Sequence, residues 1–188
     1  MPSPVGHTLG AYATLLALDP SLAGNTQKNR LALGTAFVFG SLADADFIVA
    51  YFTSNPVLRH HYFSHSIPFA ILVGIVSFLV LKILRYKKAG WYTLLLTAAY
   101  GSHLLLDYFA YDGGYPYGIP LFWPFTKRHF LAPVWIFQYI NRGEWGDLFG
   151  RHNFHAILIE IAVMGPIALL AYVRARRINA SANPERKA

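Results

Sequence analysis

Five stretches of the chain are apolar, and clusters of Pro, Gly, Asn and charged residues separate them. The first runs from about Val5 to Leu18 and is closed by Asp19-Pro20 and Gly24-Asn25, both turn signals. The second runs from Leu31 to about Phe52 and carries Asp44 and Asp46. The third, Ile67 to Leu84, has one basic residue, Lys82, near its end. The fourth runs from Trp91 to about Ala110 and carries His103 and Asp107; the fifth runs from about Ala156 to Val173 and carries Glu160. A segment rich in Gly, Pro and aromatic residues, Tyr111 to His155, joins the last two. Stretches of roughly 20 apolar residues match the thickness of a bilayer core. The pattern predicts an all-α, polytopic membrane bundle of about five helices with a long aromatic-rich outer loop. One domain is expected over 1–178, followed by a disordered polar tail over 179–188. The first helix is the shortest, and a tilted or half-inserted position suits it.

Composition strengthens this reading. Hydrophobic residues make up 55% of the chain, charged residues 13%, and the mean hydropathy is +0.36. Soluble domains carry about 25% charged residues. The N-terminus, MPSPVGHTLG, lacks the basic region of a secretory signal. Cysteine is absent, which removes disulfides, zinc–thiolate sites and cysteine nucleophiles together. The net charge of +7 could suggest nucleic acid. The basic residues lie instead at the ends of the apolar stretches. Of 16 Lys and Arg, 11 fall on one side: Lys28, Arg30, Lys82, Arg85, Lys87, Lys88, Arg174, Arg176, Arg177, Arg186 and Lys187. The positive-inside rule places that side in the cytoplasm and the N-terminus outside.

The remaining ionisable groups share one depth. At about 1.5 Å per residue, Asp44 lies about 21 Å from Arg30 and His65 about 25 Å from Lys82. On the same scale His103 and Asp107 lie about 18 and 24 Å from Trp91, and Glu160 about 21 Å from Arg174. His155 is about 28 Å from Arg174, and His7 about 20 Å from Pro20. Each apolar stretch therefore brings a His or a carboxylate to the outer half of the bilayer. Charges at that depth face a bundle interior or a wet cavity. Scattered structural hydrogen bonds are the bland alternative.

The residue types narrow the chemistry. His103 and Asp107 are spaced i,i+4, so a helix projects both from one face. That suits two ligands of one metal, a ligand with its orienting carboxylate, or a local hydrogen bond. Asp44 and Asp46 are spaced i,i+2, and a regular helix turns them about 200° apart. Both can serve one site only if the helix breaks there; one is then a ligand, and the other bridges, orients or caps. His65 sits at the mouth of the third helix, which Ser64 or Ser66 could cap ahead of Pro68. His60 and His61 precede it in a loop, and His60 joins Glu160 as a catalytic candidate. With nitrogen and oxygen donors only, zinc is the first expectation, with manganese or iron as alternatives. The chemistry implied is metal-assisted hydrolysis by water.

These residues resemble the YdjM-type family of predicted membrane-bound metal-dependent hydrolases. The matching pieces are Gly6-His7 with Gly10, Leu42-Ala43-Asp44-Ala45-Asp46 for the family's LPDxD, His60 through Ser66 for its HRxxTHS, and His103 with Asp107. Ala43 stands for the motif proline, His61 for its arginine and Ser64 for its threonine. The resemblance implies a bacterial inner-membrane hydrolase with a divalent metal bound by His7, Asp44 or Asp46, His65, His103 and Asp107. The ligand order is also similar to that of zinc-dependent phospholipases C and related single-strand nucleases. That likeness implies two or three ions, a phosphoester substrate, and His155 and Glu160 as a closing pair spaced five apart instead of four.

The outer loop would lie over the site. Its aromatics, including Tyr115, Tyr117, Phe122, Trp123, Phe125, Trp135 and Trp145, suit the headgroup region or a lid for a lipid-like substrate. Lys127, Arg128, His129 and Arg151 could attract a phosphate. The expected partners are the bilayer and an amphiphilic substrate, not nucleic acid. Two other classes fit the same residues. One is a transporter or proton relay with an intramembrane His/Asp chain; the other is a structural membrane protein stapled by a metal. No GxSxG elbow or HExxH motif is present.

Overall fold

The computed structural model describes residues 1–46, 63–111, 113, 116–141 and 149–182. Within them the chain is all-helical, with five α-helices. These are α1 (Pro4–Leu18), α2 (Thr26–Ser41), α3 (Ile67–Ile83), α4 (Ala89–Tyr108) and α5 (Arg151–Ala182). The only β-type pairings among the described residues are two isolated bridges, Ala110 with Phe137 and Ile119 with Phe130.

Local chemistry fixes the helix starts. Ser3 caps α1 by accepting from the Val5 amide, and Pro4 occupies the first helical position, where no amide hydrogen is needed. Asn25 caps α2 through the Lys28 amide. Of the two serines expected before α3, Ser66 is the cap, accepting from Phe69. Between α1 and α2, Asp19 caps a 3-10 turn (Pro20–Ala23) and accepts a hydrogen bond from the Trp91 indole at 3.0 Å.

Two boundaries differ from the sequence expectation. The second apolar stretch is not one long helix. It stops at Ser41 and gives way to a 3-10 turn, Leu42–Asp44. The fifth helix is longer than expected at 32 residues, and it includes Asn153, Glu160 and residues 178–182. The tail therefore stays helical through Ala182, because the Asn179 amide donates to the carbonyls of Pro20 and Ala175 and ties the helix end to the first interhelical turn.

Length and composition alone make α5 the one helix among the described residues able to cross a membrane; α3 is apolar but has 17 residues. The expected five spans thus reduce, on this criterion, to one. At about 1.5 Å per residue, α1 and α2 are about 22 and 24 Å long.

The helices pack through small side chains. Ala11, Leu15, Leu16, Ala32, Ala36, Ala99, Ala168 and Ala175 form one buried cluster across α1, α2, α4 and α5. Gly40 marks the closest approach. A Cβ there would lie 2.8 Å from the His7 carbonyl oxygen and 2.8 Å from Ala11 Cβ, so only glycine lets α2 meet α1 at this point. After α4 the chain folds back on the helix end. Ala132 and Ile136 donate to the carbonyls of Tyr108 and Phe109, and Tyr111 donates to Phe137. The side chain of buried Asn153 then pairs with both backbone groups of Asn141, at 2.7 Å each, and fastens the loop to the start of α5.

Candidate metal centre

Four elements converge on one buried point. Helix α4 supplies His103 and Asp107, one turn apart on its inner face and both buried. Helix α1 supplies His7, completely buried. The 3-10 turn after α2 supplies Asp44, and a second 3-10 turn (Phe63–His65) supplies His65, also completely buried. Tyr100 of α4 steadies that second turn by donating from its hydroxyl to the Ser64 carbonyl at 2.6 Å.

The hydrogen bonds fix the ring tautomers. His103 Nδ1 lies 2.7 Å from the Gly40 carbonyl oxygen, which can only accept. His65 Nδ1 lies 3.3 Å from Asp46 Oδ2 and 3.0 Å from Ser64 Oγ, and the Ser64 hydroxyl itself donates to Asp46 at 2.8 Å. Both Nδ1 atoms therefore carry hydrogen, and each ring turns its Nε2 inward. The two Nε2 atoms face each other at 3.2 Å. Two lone pairs at that distance repel unless positive charge lies between them, either a proton on one ring or a metal ion touching both.

The spacing of the surrounding donors can be compared with that of a metal site. Ligands about 2.0–2.2 Å from a tetrahedral ion stand about 3.3–3.6 Å apart. Asp44 Oδ1 is 3.6 Å from His65 Nε2 and 3.7 Å from His103 Nε2. Asp107 Oδ2 is 3.4 Å from His65 Nε2 and 3.0 Å from His103 Nε2. These distances, with the 3.2 Å between the two Nε2 atoms, bracket the ligand spacing around a small cation. Both Asp107 oxygens and both His7 ring nitrogens are buried without a hydrogen-bond partner among the described residues. Such groups are costly unless they are paired, and a cation would satisfy the Asp107 oxygens and one nitrogen of the His7 ring.

Two overlapping groups could hold a metal: Asp44, His65 and His103, and His7, His103 and Asp107. They share His103. Asp107 joins them, because its Oδ1 lies 3.5 Å from His7 Nε2 while its Oδ2 faces the other histidines. His7 also stacks on His103, with ring centroids 3.7 Å apart and planes 12° apart.

The other sequence candidates fall elsewhere. Asp46 does not face the inner nitrogens; it holds His65 from behind, as a carboxylate that orients a ligand. The break after Ser41 makes that division possible, since an unbroken helix would have sent one carboxylate out of the site. Glu160 is buried but is no ligand in this arrangement. Its carboxylate accepts hydrogen bonds from the Ser3 amide at 2.7 Å, the Ser3 hydroxyl and the Gly6 amide at 3.1 Å. His155 is exposed on α5, because the five-residue spacing from Glu160 turns it about 140° away. Arg128 and Arg151 are exposed and His129 is half-buried, so no closed anion site forms around them among the described residues. His60, Tyr115 and Trp145 lie outside the described residues.

Four contributors have no ligand-like signature in the sequence. They are Gly40 through its carbonyl, Ser64 and Tyr100 behind His65, and Ser3 as the partner of Glu160. Ser3 had a readable signal, the Ser-Pro start of a helix, and Ser64 stands at the motif's threonine position.

No curated protein and no solved structure matches the chain at a significant level. The model of the YdjM inner membrane protein family matches residues 1–181, and with that match over nearly its whole length the chain belongs to this family.

Proposed function

We propose that this protein is an integral-membrane, metal-dependent hydrolase that acts on a phosphoester of a lipid or another amphiphile. The observation that carries the reading is the pair of inward Nε2 atoms, 3.2 Å apart and flanked by the Asp44 and Asp107 carboxylates. A divalent metal fits that set of donors, and zinc suits the nitrogen and oxygen mix best, ahead of manganese or iron.

A polytopic bundle is part of the proposal. Its outer faces are apolar along several helices, with Ile71, Ile75, Leu79 and Ile83 exposed on α3, Leu31 and Phe37 on α2, and Leu169 and Leu170 on α5. Its interior holds His7, His65, His103, Asn153 and Glu160. That is the reverse of a soluble domain and suits a hydrocarbon solvent. The short α1 and α2 fit as helices that meet the site within the membrane. The basic residues gather at the opposite helix ends, which supports a site toward the non-cytoplasmic face.

Each residue has a task in this scheme. Asp44, His65 and His103 would hold one metal, and His7 with His103 and Asp107 forms the overlapping group that would bring His7 in as a ligand. A bound divalent ion supplies Lewis acidity and lowers the pKa of a coordinated water, giving a nucleophile near neutral pH. Asp46 and the Gly40 carbonyl keep the two imidazoles in the ligating tautomer. The Asp44 side chain is 14% exposed while those of His7, His65, His103 and Asp107 are fully covered, so substrate reaches the centre at the Asp44 edge. The exposed Phe122, Phe125 and Trp135 suit the headgroup region.

The test uses the full chain purified in detergent. Elemental analysis is expected to find at least one zinc, manganese or iron per chain. A panel of lipid phosphates and phospholipids is expected to yield metal-dependent release of a headgroup or phosphate. Active protein free of metal would overturn the proposal. Metal-loaded protein that turns over nothing, and only unfolds on chelation, would favour the metal-staple reading, which the burial of three of its histidines supports.

A further inference from the structure

We propose that Glu160 is a positioning residue: it sets the first turn of α1 through Ser3 and Gly6, and thereby the place of His7 at the metal centre. The inference rests on the metal reading above. His7 lies near the start of α1, where a helix has free amide groups and frays unless something holds them. Its ring has little else to hold it. Among the described residues neither ring nitrogen has a hydrogen-bond partner, and the ring stacks on His103 at 3.7 Å and approaches Asp107 Oδ1 at 3.5 Å. The ring therefore goes where the backbone puts it.

Glu160 holds that backbone. Its Oε1 accepts from the Ser3 amide at 2.7 Å, and its Oε2 accepts from the Gly6 amide at 3.1 Å and from the Ser3 hydroxyl. Ser3 then passes the constraint on, because its carbonyl accepts from the His7 amide at 3.1 Å. The packing leaves no slack, since a Cβ on Gly6 would stand 2.8 Å from Glu160 Oε2. A carboxylate at this end also complements the helix dipole. Glu160 belongs to α5, which supplies no ligand itself. The fifth helix thus reaches the metal through the N-terminal turn.

The experiment is a double-mutant cycle read by zinc affinity, using chelator competition on the full chain in detergent. The four proteins are wild type, Glu160→Gln, His7→Ala and the double variant. The amide keeps the size of Glu160 but offers one acceptor oxygen in place of two. Loss of an outer-shell partner costs about 10- to 100-fold in metal affinity, and Glu160→Gln is expected near the lower end of that range. In the His7→Ala background the same change is expected to shift affinity by less than about twofold, because coupled sites are non-additive. Glu160→Gln with wild-type affinity, or a weakening that carries over in full to His7→Ala, overturns the inference and leaves the metal reading intact. If Glu160→Gln does not fold, Ser3→Ala, which removes one of the three bonds, runs through the same cycle with the same criteria. Wild-type protein that takes up no zinc overturns the metal reading and this inference with it.

Discussion

Asp44 and Asp46 lie two residues apart and are given different tasks by the fold, so replacing each by its amide separates ligand from support. Asp46 touches His65 Nδ1 at 3.3 Å and Ser64 Oγ at 2.8 Å. Asp46→Asn keeps an acceptor in place and removes only the charge behind His65. Partners of that kind contribute about 10- to 100-fold to metal affinity, or about 1.4–2.8 kcal/mol. Asp44 faces both inner nitrogens, at 3.6 and 3.7 Å. A four-ligand zinc site is worth about 10–16 kcal/mol, so losing one ligand costs about 2.5–4 kcal/mol. That corresponds to about 70- to 900-fold. Asp44→Asn is therefore expected to weaken zinc binding more than Asp46→Asn. Chelator competition measures both. Cobalt substitution adds a second readout, since Asp46→Asn keeps the ligand set and should leave the cobalt absorption band in place, whereas Asp44→Asn should alter it. Should Asp46→Asn bind zinc as weakly as Asp44→Asn, or change the cobalt band, the division of labour argued for this pair is wrong.

Chelation should lower the melting temperature in detergent and added zinc should restore it; at a hundredfold excess over Kd the metal adds about 2.7 kcal/mol. Gly40→Val should cost about 1–3 kcal/mol by overpacking, and it should also weaken zinc binding, because the carbonyl that orients His103 moves with the helix; thermal melts with and without zinc separate the two effects. Asn153→Ala should loosen the loop end, read as faster amide exchange at Asn141, whose amide donates to the Asn153 side chain. Asp19 gives a pH signature: burial pushes its carboxyl up, but hydrogen bonds from Ser21 and Trp91 outweigh that and hold it below the ordinary value of 3.8. The resulting stabilisation is present above that ordinary value and is lost as pH falls through the folded one. Asp19→Asn should flatten the acid side of a stability–pH curve.

What the sequence could show follows from which interactions are local. The i,i+4 spacing of His103 and Asp107 survives folding unchanged, because a helix fixes it. That His7, Asp44, His65, His103 and Asp107 lie at one level of the bundle was also readable, since rise per residue is nearly constant. The roles within Asp44-Ala-Asp46 were not, because they depend on a helix break between Ser41 and Leu42 that no Pro marks, and the Gly40 just before it sits inside the helix as a packing contact. Glu160 misled for a related reason. Its depth was right, but depth does not give azimuth, and α5 turns it toward the start of α1 instead of toward the ring nitrogens. His155 fails on the same ground, since five residues along a helix point to another face. Gly40 acts through its carbonyl, a group every residue carries, so sequence could not single it out.

The arrangement also ties folding to the site. If the bundle lies in hydrocarbon as proposed, its helices gain little from burying apolar side chains against one another, and small residues with polar contacts hold it together. Here Ala11, Ala36 and Ala99 supply close approach, and the polar contacts gather at one centre. His7 brings α1 to it, Asp44 the end of α2, His65 the start of α3, and His103 with Asp107 the body of α4. The fifth helix joins through Glu160 and Ser3. Removing a ligand therefore removes a tie between helices as well as a donor, and lost activity by itself says little about a residue's role. His7→Ala and His103→Ala separate the two effects. His103 makes a backbone bond to Gly40 that His7 lacks, so His103→Ala should lower the melting temperature of metal-free protein more than His7→Ala. Equal melting of the two metal-free variants would show that the Gly40 contact adds nothing to the fold beyond the apolar packing between α2 and α4.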